Sequence, residues 1–104
     1  MRYSISRHPM VERDFERIQD FIAPVAGIQV ARRIVREIKD RIAALRDYPK
    51  IGTVHSDVRP GLRAILSVDK AVICFTVDDE RRVVRIICVT YAGQDWQTIA
   101  RARK

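Results

Sequence analysis

Apolar residues fall along this chain in two distinct rhythms, and the boundary between them divides it. From residue 11 the apolar positions are Val11, Phe15, Ile18 and Ile22. These steps of three and four place one stripe on a helix over about 10–23. Glu12, Asp14 and Glu16 lie in its first turns, where carboxylates complement the helix dipole. Ser6 reads as the N-cap and Pro9 as a first-turn residue, while Pro24 and Gly27 are expected to end the helix. A second stripe, Ile34, Ile38, Ile42 and Leu45, widened by Val30, Ala31 and Val35, predicts a helix over about 28–47 that stops before Pro49. That helix is roughly 30 Å long, with Glu37 and Arg41 as an i,i+4 pair. The short link predicts an antiparallel helical hairpin.

Elsewhere the rhythm is two. "RYSIS" (2–6) alternates, with Tyr3 and Ile5 on one face, and reads as a first strand. After a polar loop at 53–61 come "LRAILSV" (62–68), "AVICFTV" (71–77) and "VVRIICVTY" (83–91). The separators, Asp69–Lys70 and Asp78–Asp79–Glu80–Arg81, are too short for anything but antiparallel hairpins. "DWQTIARARK" closes the chain as a short basic helix or tail, with Trp96 and Ile99 able to pack back. The order is β-α-α-β-β-β with a terminal helix. The fold class is α+β: a single domain over 1–104 with a helical hairpin on one face of a small antiparallel-rich sheet.

That layout leaves one sheet face without helical cover apart from the tail. Yet the last strand is apolar on both sides, with Val84, Ile86 and Cys88 alternating against Val83, Ile87 and Val89. A face open to water would read polar. The second face is therefore expected to be filled by another chain or to form a groove.

The formal charge of +7 is spread evenly, with ten basic against seven acidic residues in 1–48 and ten against six in 49–104. It favours an acidic protein or a nucleic acid as partner. Most of the cations are Arg, suited to bidentate carboxylate or phosphate contacts. No apolar run reaches the length of a membrane span, and "MRYSISRHPMVERD" lacks a signal-peptide core, so a cytoplasmic protein is expected. Cys74 and Cys88 lie in apolar runs and read as reduced, buried residues. Pairing Val77 with Arg85 would set the two cysteines opposite each other. With His8 and His55 they make no zinc pattern, and no Walker loop, HExxH or dinucleotide fingerprint is present, so no cofactor or metal is expected.

The order of several short motifs resembles the ParE/RelE superfamily of bacterial type II toxins, and ParE more closely. "YSIS" opens the first strand, "ERDFERIQDFI" lies on the first helix, and Gly27 sits between the helices. "YPKIG" (48–52) corresponds to a Pro-x-x-Gly after the second helix, and "RPGLR" (59–63) to a Pro-Gly-x-Arg entry to a strand. "VRIICVTYAGQDW" stands where ParE-like toxins carry an Ile-x-Arg-Val-Leu-His segment followed by an acid, with Tyr91 in place of His. The resemblance implies a toxin of a plasmid-stabilisation system that inhibits DNA gyrase and is neutralised by an acidic, partly disordered antitoxin. The RelE side of the family implies instead a ribosome-dependent mRNA endonuclease. Its in-line attack by a ribose 2′-hydroxyl needs proton-transfer and cationic groups. Arg63, Arg85 and Tyr91 are the candidates, with Asp95 and His55 behind them. Arg85 and Tyr91 share strand parity, which predicts a common face. A basic nucleic-acid-binding module is a third reading, weakened by the scarcity of stacking aromatics on the strands.

Overall fold

The computed structural model describes residues 2–67 and 70–104. The expected link at Asp69, and Val68 before it, lie outside the described residues. Strand β1 (Ser4–Arg7) leads into α1 (Val11–Ala26) and α2 (Ile28–Ala43), which a 3-10 turn at Ala44–Arg46 extends. Then follow β2 (Thr53–Val54), β3 (Arg63–Leu66), β4 (Val72–Asp78), β5 (Val83–Thr90) and α3 (Trp96–Ala102). Among the described residues the sheet has five strands in the order β1-β5-β4-β3-β2. β1 runs parallel to β5, and the other pairs are antiparallel. The α+β class stands, with one strand more than the pattern predicts. β2 is two residues at the edge, inside the stretch expected to be loop, and carries no alternation to read.

The helix stripes fall where their spacing puts them. Val11, Phe15, Ile18 and Ile22 of α1, with Ile34, Ile38 and Ile42 of α2, pack on Ile73, Phe75, Val84 and Ile86 to form the main core. The ends differ from expectation for local reasons. Ser6 does not cap α1: it lies within β1, and the Met10 N–H is accepted by His8 Nδ1 instead. Pro24 does not stop α1, because it sits in the last turn, where it forgoes a single hydrogen bond. Gly27, at φ 94°, makes the turn. Glu37 pairs with Arg33, at 3.2 Å, one turn before it rather than with Arg41 after it. No helix among the described residues is long and apolar enough to cross a membrane.

The second face carries a core of its own. Val58, Leu62, Ala64, Cys74, Ile87, Cys88 and Ala100 are buried together, with Trp96 and Ile99 against them. The expectation that another chain or an open groove occupies this half of the face is thus corrected. α3 and the 55–62 segment cover it within the same chain. Further along, where Arg85 lies between Ser6 and Thr76, the face is polar and open.

A β-bulge explains how one strand can serve both cores. Cys74 pairs with Cys88, but Phe75 pairs with Ile86, so Ile87 is an extra residue in β5. Below the bulge Val84 and Ile86 face the hairpin. Beyond it Ile87 and Cys88 both enter the second core, and Val89 returns to the first. The expected register is therefore right at the cysteines and wrong beyond them: Arg85 pairs with Thr76, and Val77 with Val84.

Candidate functional site

The bulge decides where the chemistry-bearing side chains go. The parity argument placed Arg85 and Tyr91 on one face, but the extra residue between them reverses it. Tyr91 packs on the hairpin side, against the main core, while Arg85 lies on the opposite face beside Ser6 and Thr76. Arg63 shares the parity of Ile65 and so faces the hairpin side, at the far end of the sheet. It stands opposite Phe75 and, through it, Ile86, five residues before Tyr91 on β5. That is roughly 15 Å along the strand, in addition to two strands across. Near Arg63, Asp79 accepts from Tyr3 Oη at 2.7 Å and pairs with Lys50 Nζ at 2.9 Å. These bonds hold the Asp79 carboxyl below its usual range, the Tyr3 hydroxyl first among the causes. Arg63, Arg85 and Tyr91 are thus not brought together. His55 stacks edge-on against Trp96, with ring centroids 4.8 Å apart. Asp95 caps α3, accepting from the Thr98 N–H at 3.2 Å and the Thr98 hydroxyl at 2.6 Å.

What converges instead is an apolar surface around Tyr91. Its ring meets Phe21 edge-on, centroids 6.0 Å apart. Ala92 and Gly93, with φ of 53° and 82°, turn the chain away, and Gln94 Oε1 accepts the Tyr91 N–H at 3.1 Å. Phe21 and Val25 lie one turn apart on α1, off the buried stripe, and are 61% and 91% exposed. With Ala26, Val30, Ile34 and Tyr91 they line a groove of about 410 Å³ at the hairpin tip. Arg33 stands at this groove, Arg17 and Lys70 at the two hollows on other sides of the same Phe21–Tyr91 pair. The arrangement is an apolar floor with cationic corners. Sequence reasoning identified Tyr91 but passed over Phe21 and Val25. Their i,i+4 spacing outside the main stripe was the available signal.

Residues 5–96 match the family model described as the ParE toxin of the type II toxin–antitoxin system parDE. The chain belongs to the ParE toxin family. No curated protein sequence matches it. Among solved structures, the chromosomal ParDE toxin–antitoxin system from P. aeruginosa superposes with a TM-score of 0.74 at 17% identity, covering 88% of this chain and 97% of that one. The RelBE2 complex from Mycobacterium tuberculosis gives 0.69 at 16% identity, covering 88% and 100%. The E. coli toxin RelE, as a mutant in the free state, gives 0.66 at 16% identity, covering 94% and 92%. These likenesses establish that this ParE-family chain shares its fold with those ParDE and RelBE proteins.

Proposed function

We propose that this ParE-family toxin acts by binding, with DNA gyrase as its target, and that a cognate acidic antitoxin from the same plasmid-stabilisation type of system neutralises it in the cytoplasm by seating on the Phe21–Tyr91 groove. The observation that carries this reading is the separation of Arg63, Arg85 and Tyr91 over two faces and two ends of the sheet. General acid–base chemistry on an RNA backbone needs such groups within hydrogen-bond reach of one scissile phosphate. A binding toxin has no such requirement. The groove's apolar floor and Arg17, Arg33 and Lys70 suit an amphipathic segment rich in Asp and Glu.

The rival is a RelE-like, ribosome-dependent mRNA endonuclease, favoured by the likeness to RelE itself. Purified toxin added to a gyrase supercoiling assay and to a translating ribosome assay separates the two. We expect loss of supercoiling with intact mRNA. Cleavage in the ribosomal A site that disappears in Tyr91→Phe or Arg63→Ala would replace this reading with the rival.

A further inference from the structure

The mechanism proposed above makes no use of the two thiols. Cys74 and Cys88 stand directly opposite each other on β4 and β5 and are fully buried. Directly opposed residues of an antiparallel pair have Cα atoms about 4.5–5.5 Å apart, inside the roughly 4.4–6.8 Å that a disulfide spans. The two side chains lie in one buried cluster. Trp96, Ile99 and Ala100 of α3 pack over the same cluster, beside Val58 and Leu62 of the 55–62 segment. A helix of seven residues does not persist alone in water, so α3 holds its place through its anchors. Asp95 caps its start, and Arg59 Nη1 donates to the carbonyls of Ala100, at 3.2 Å, and Arg103 at its end.

We propose that Cys74 and Cys88 form a disulfide-forming modification site that α3 gates: closed while the helix is docked, and open to low-molecular-weight disulfides when it lifts. With oxidised glutathione as the reactant, one cysteine thiolate attacks a glutathione sulfur. The S–S bond breaks, one glutathione thiolate leaves, and a mixed disulfide remains. The second cysteine thiolate then attacks the protein-side sulfur and expels the second glutathione. The two thiol protons end on the two released glutathione thiols; one protein dithiol is oxidised and one glutathione disulfide reduced. Docked α3 opposes this in two ways. It denies the oxidant access, and it preserves the close pairing with Cys88 and the burial that push the Cys74 thiol well above its ordinary range. The site does not depend on which target the toxin binds.

The test uses the full-length chain with oxidised glutathione, followed by thiol counting and mass spectrometry. Wild type should react slowly, at a rate nearly independent of low urea, because α3 opens locally and not by global unfolding. Asp95→Ala, and separately Arg59→Ala, should raise the rate at least tenfold. The product should have lost two hydrogens and carry no glutathione. Adding Cys88→Ser to either should leave a stable glutathione adduct on Cys74. Equal rates in wild type and both α3 variants, a steep urea dependence, or two glutathione adducts per chain would each overturn the proposal.

Discussion

Asp14 shows how much one side chain can be asked to do. Its place in the first turns of α1 suits the helix dipole, but it is only 3% exposed and points inward. There it accepts the Val89 N–H at 3.0 Å. Arg103 grips the same carboxylate through Nη1 and Nη2, at 2.6 and 2.7 Å, and Nη1 also donates to the Ile87 carbonyl at 3.1 Å. One ion pair therefore binds the Ile87 carbonyl at the bulge and the Val89 N–H beyond it, and ties α1, β5 and the C-terminal segment together. Removing only one partner leaves a buried charge alone. Asp14→Ala should destabilise the chain by about 3–5 kcal/mol, whereas Asp14→Ala combined with Arg103→Met should cost clearly less than the sum of the two single changes. Urea midpoints of the four proteins in this cycle check it; strict additivity would mean that the pair is not coupled. His8 offers a second residue-scale prediction. Burial, then the positive charges of Arg103, Arg85 and Arg59, hold its imidazole below the ordinary histidine value, with Asp14 as the opposing charge. The neutral ring accepts the Met10 N–H at 3.1 Å. A base with a depressed folded pKa binds fewer protons folded than unfolded, so its contribution is complete above the unfolded value of about 6.5. That contribution is lost as pH falls from there through the folded value. Stability measured from pH 7.5 down to 5 should fall in wild type and fall less in His8→Gln.

At the scale of elements, long periodic segments were legible and short or irregular ones were not. The stripes of α1 and α2 and the three long strands could be read because many positions repeat one rule. The two-residue β2 has no period, and Gly52 is its only local marker. With φ at 84°, a Cβ there would strike Ile65 and come within 2.5 Å of the Ala64 carbonyl oxygen, so the backbone closes on β3 only without a side chain. Gly52→Ala should lower stability through both strain and collision, measurable as a lower urea midpoint with an unchanged far-UV spectrum. The bulge at Ile87 was invisible for a different reason: an extra residue in an unbroken apolar run changes parity without changing composition. That one residue undid the expected common face of Arg85 and Tyr91. α3 could be read as a short helix, but not as a lid, because its anchors Arg59 and Asp14 are distant in sequence. Its N-terminus titrates. The Thr98 hydroxyl, then the Thr98 N–H, depress the Asp95 carboxyl below its usual value. Such a carboxylate contributes fully above its unfolded pKa of about 3.9 and loses that contribution as pH falls through the folded value. α3 should therefore loosen below about pH 4. The fluorescence of Trp96, the sole tryptophan, reports it, and Asp95→Asn should remove the step.

At the scale of the whole molecule, the sheet is apolar on both sides and the chain itself covers the two faces unevenly. The helical hairpin covers one face, and α3 with the 55–62 segment covers part of the other. Exposed apolar surface remains on the second face at Leu66, which shares the parity of Ala64, but it gathers into a groove at the hairpin tip, where Phe21 and Val25 extend past the main core beside Tyr91. This location separates binding from stability. Phe21 is 61% exposed, so Phe21→Ala removes little of what holds the fold together. At the centre of an interface, truncating an aromatic anchor commonly costs 2 kcal/mol or more, about thirtyfold in affinity. The cationic corners act differently. On a chain of formal charge +7, Arg17 and Lys70 at the rim should govern the association rate with an acidic antitoxin more than the lifetime of the complex. Titrating the toxin with its proposed cognate antitoxin should show Phe21→Ala dissociating faster at an unchanged thermal midpoint. Arg17→Glu should associate more slowly, with the difference shrinking as salt rises. If Phe21→Ala binds as wild type does, the antitoxin seats elsewhere and the tip groove is left without its proposed occupant.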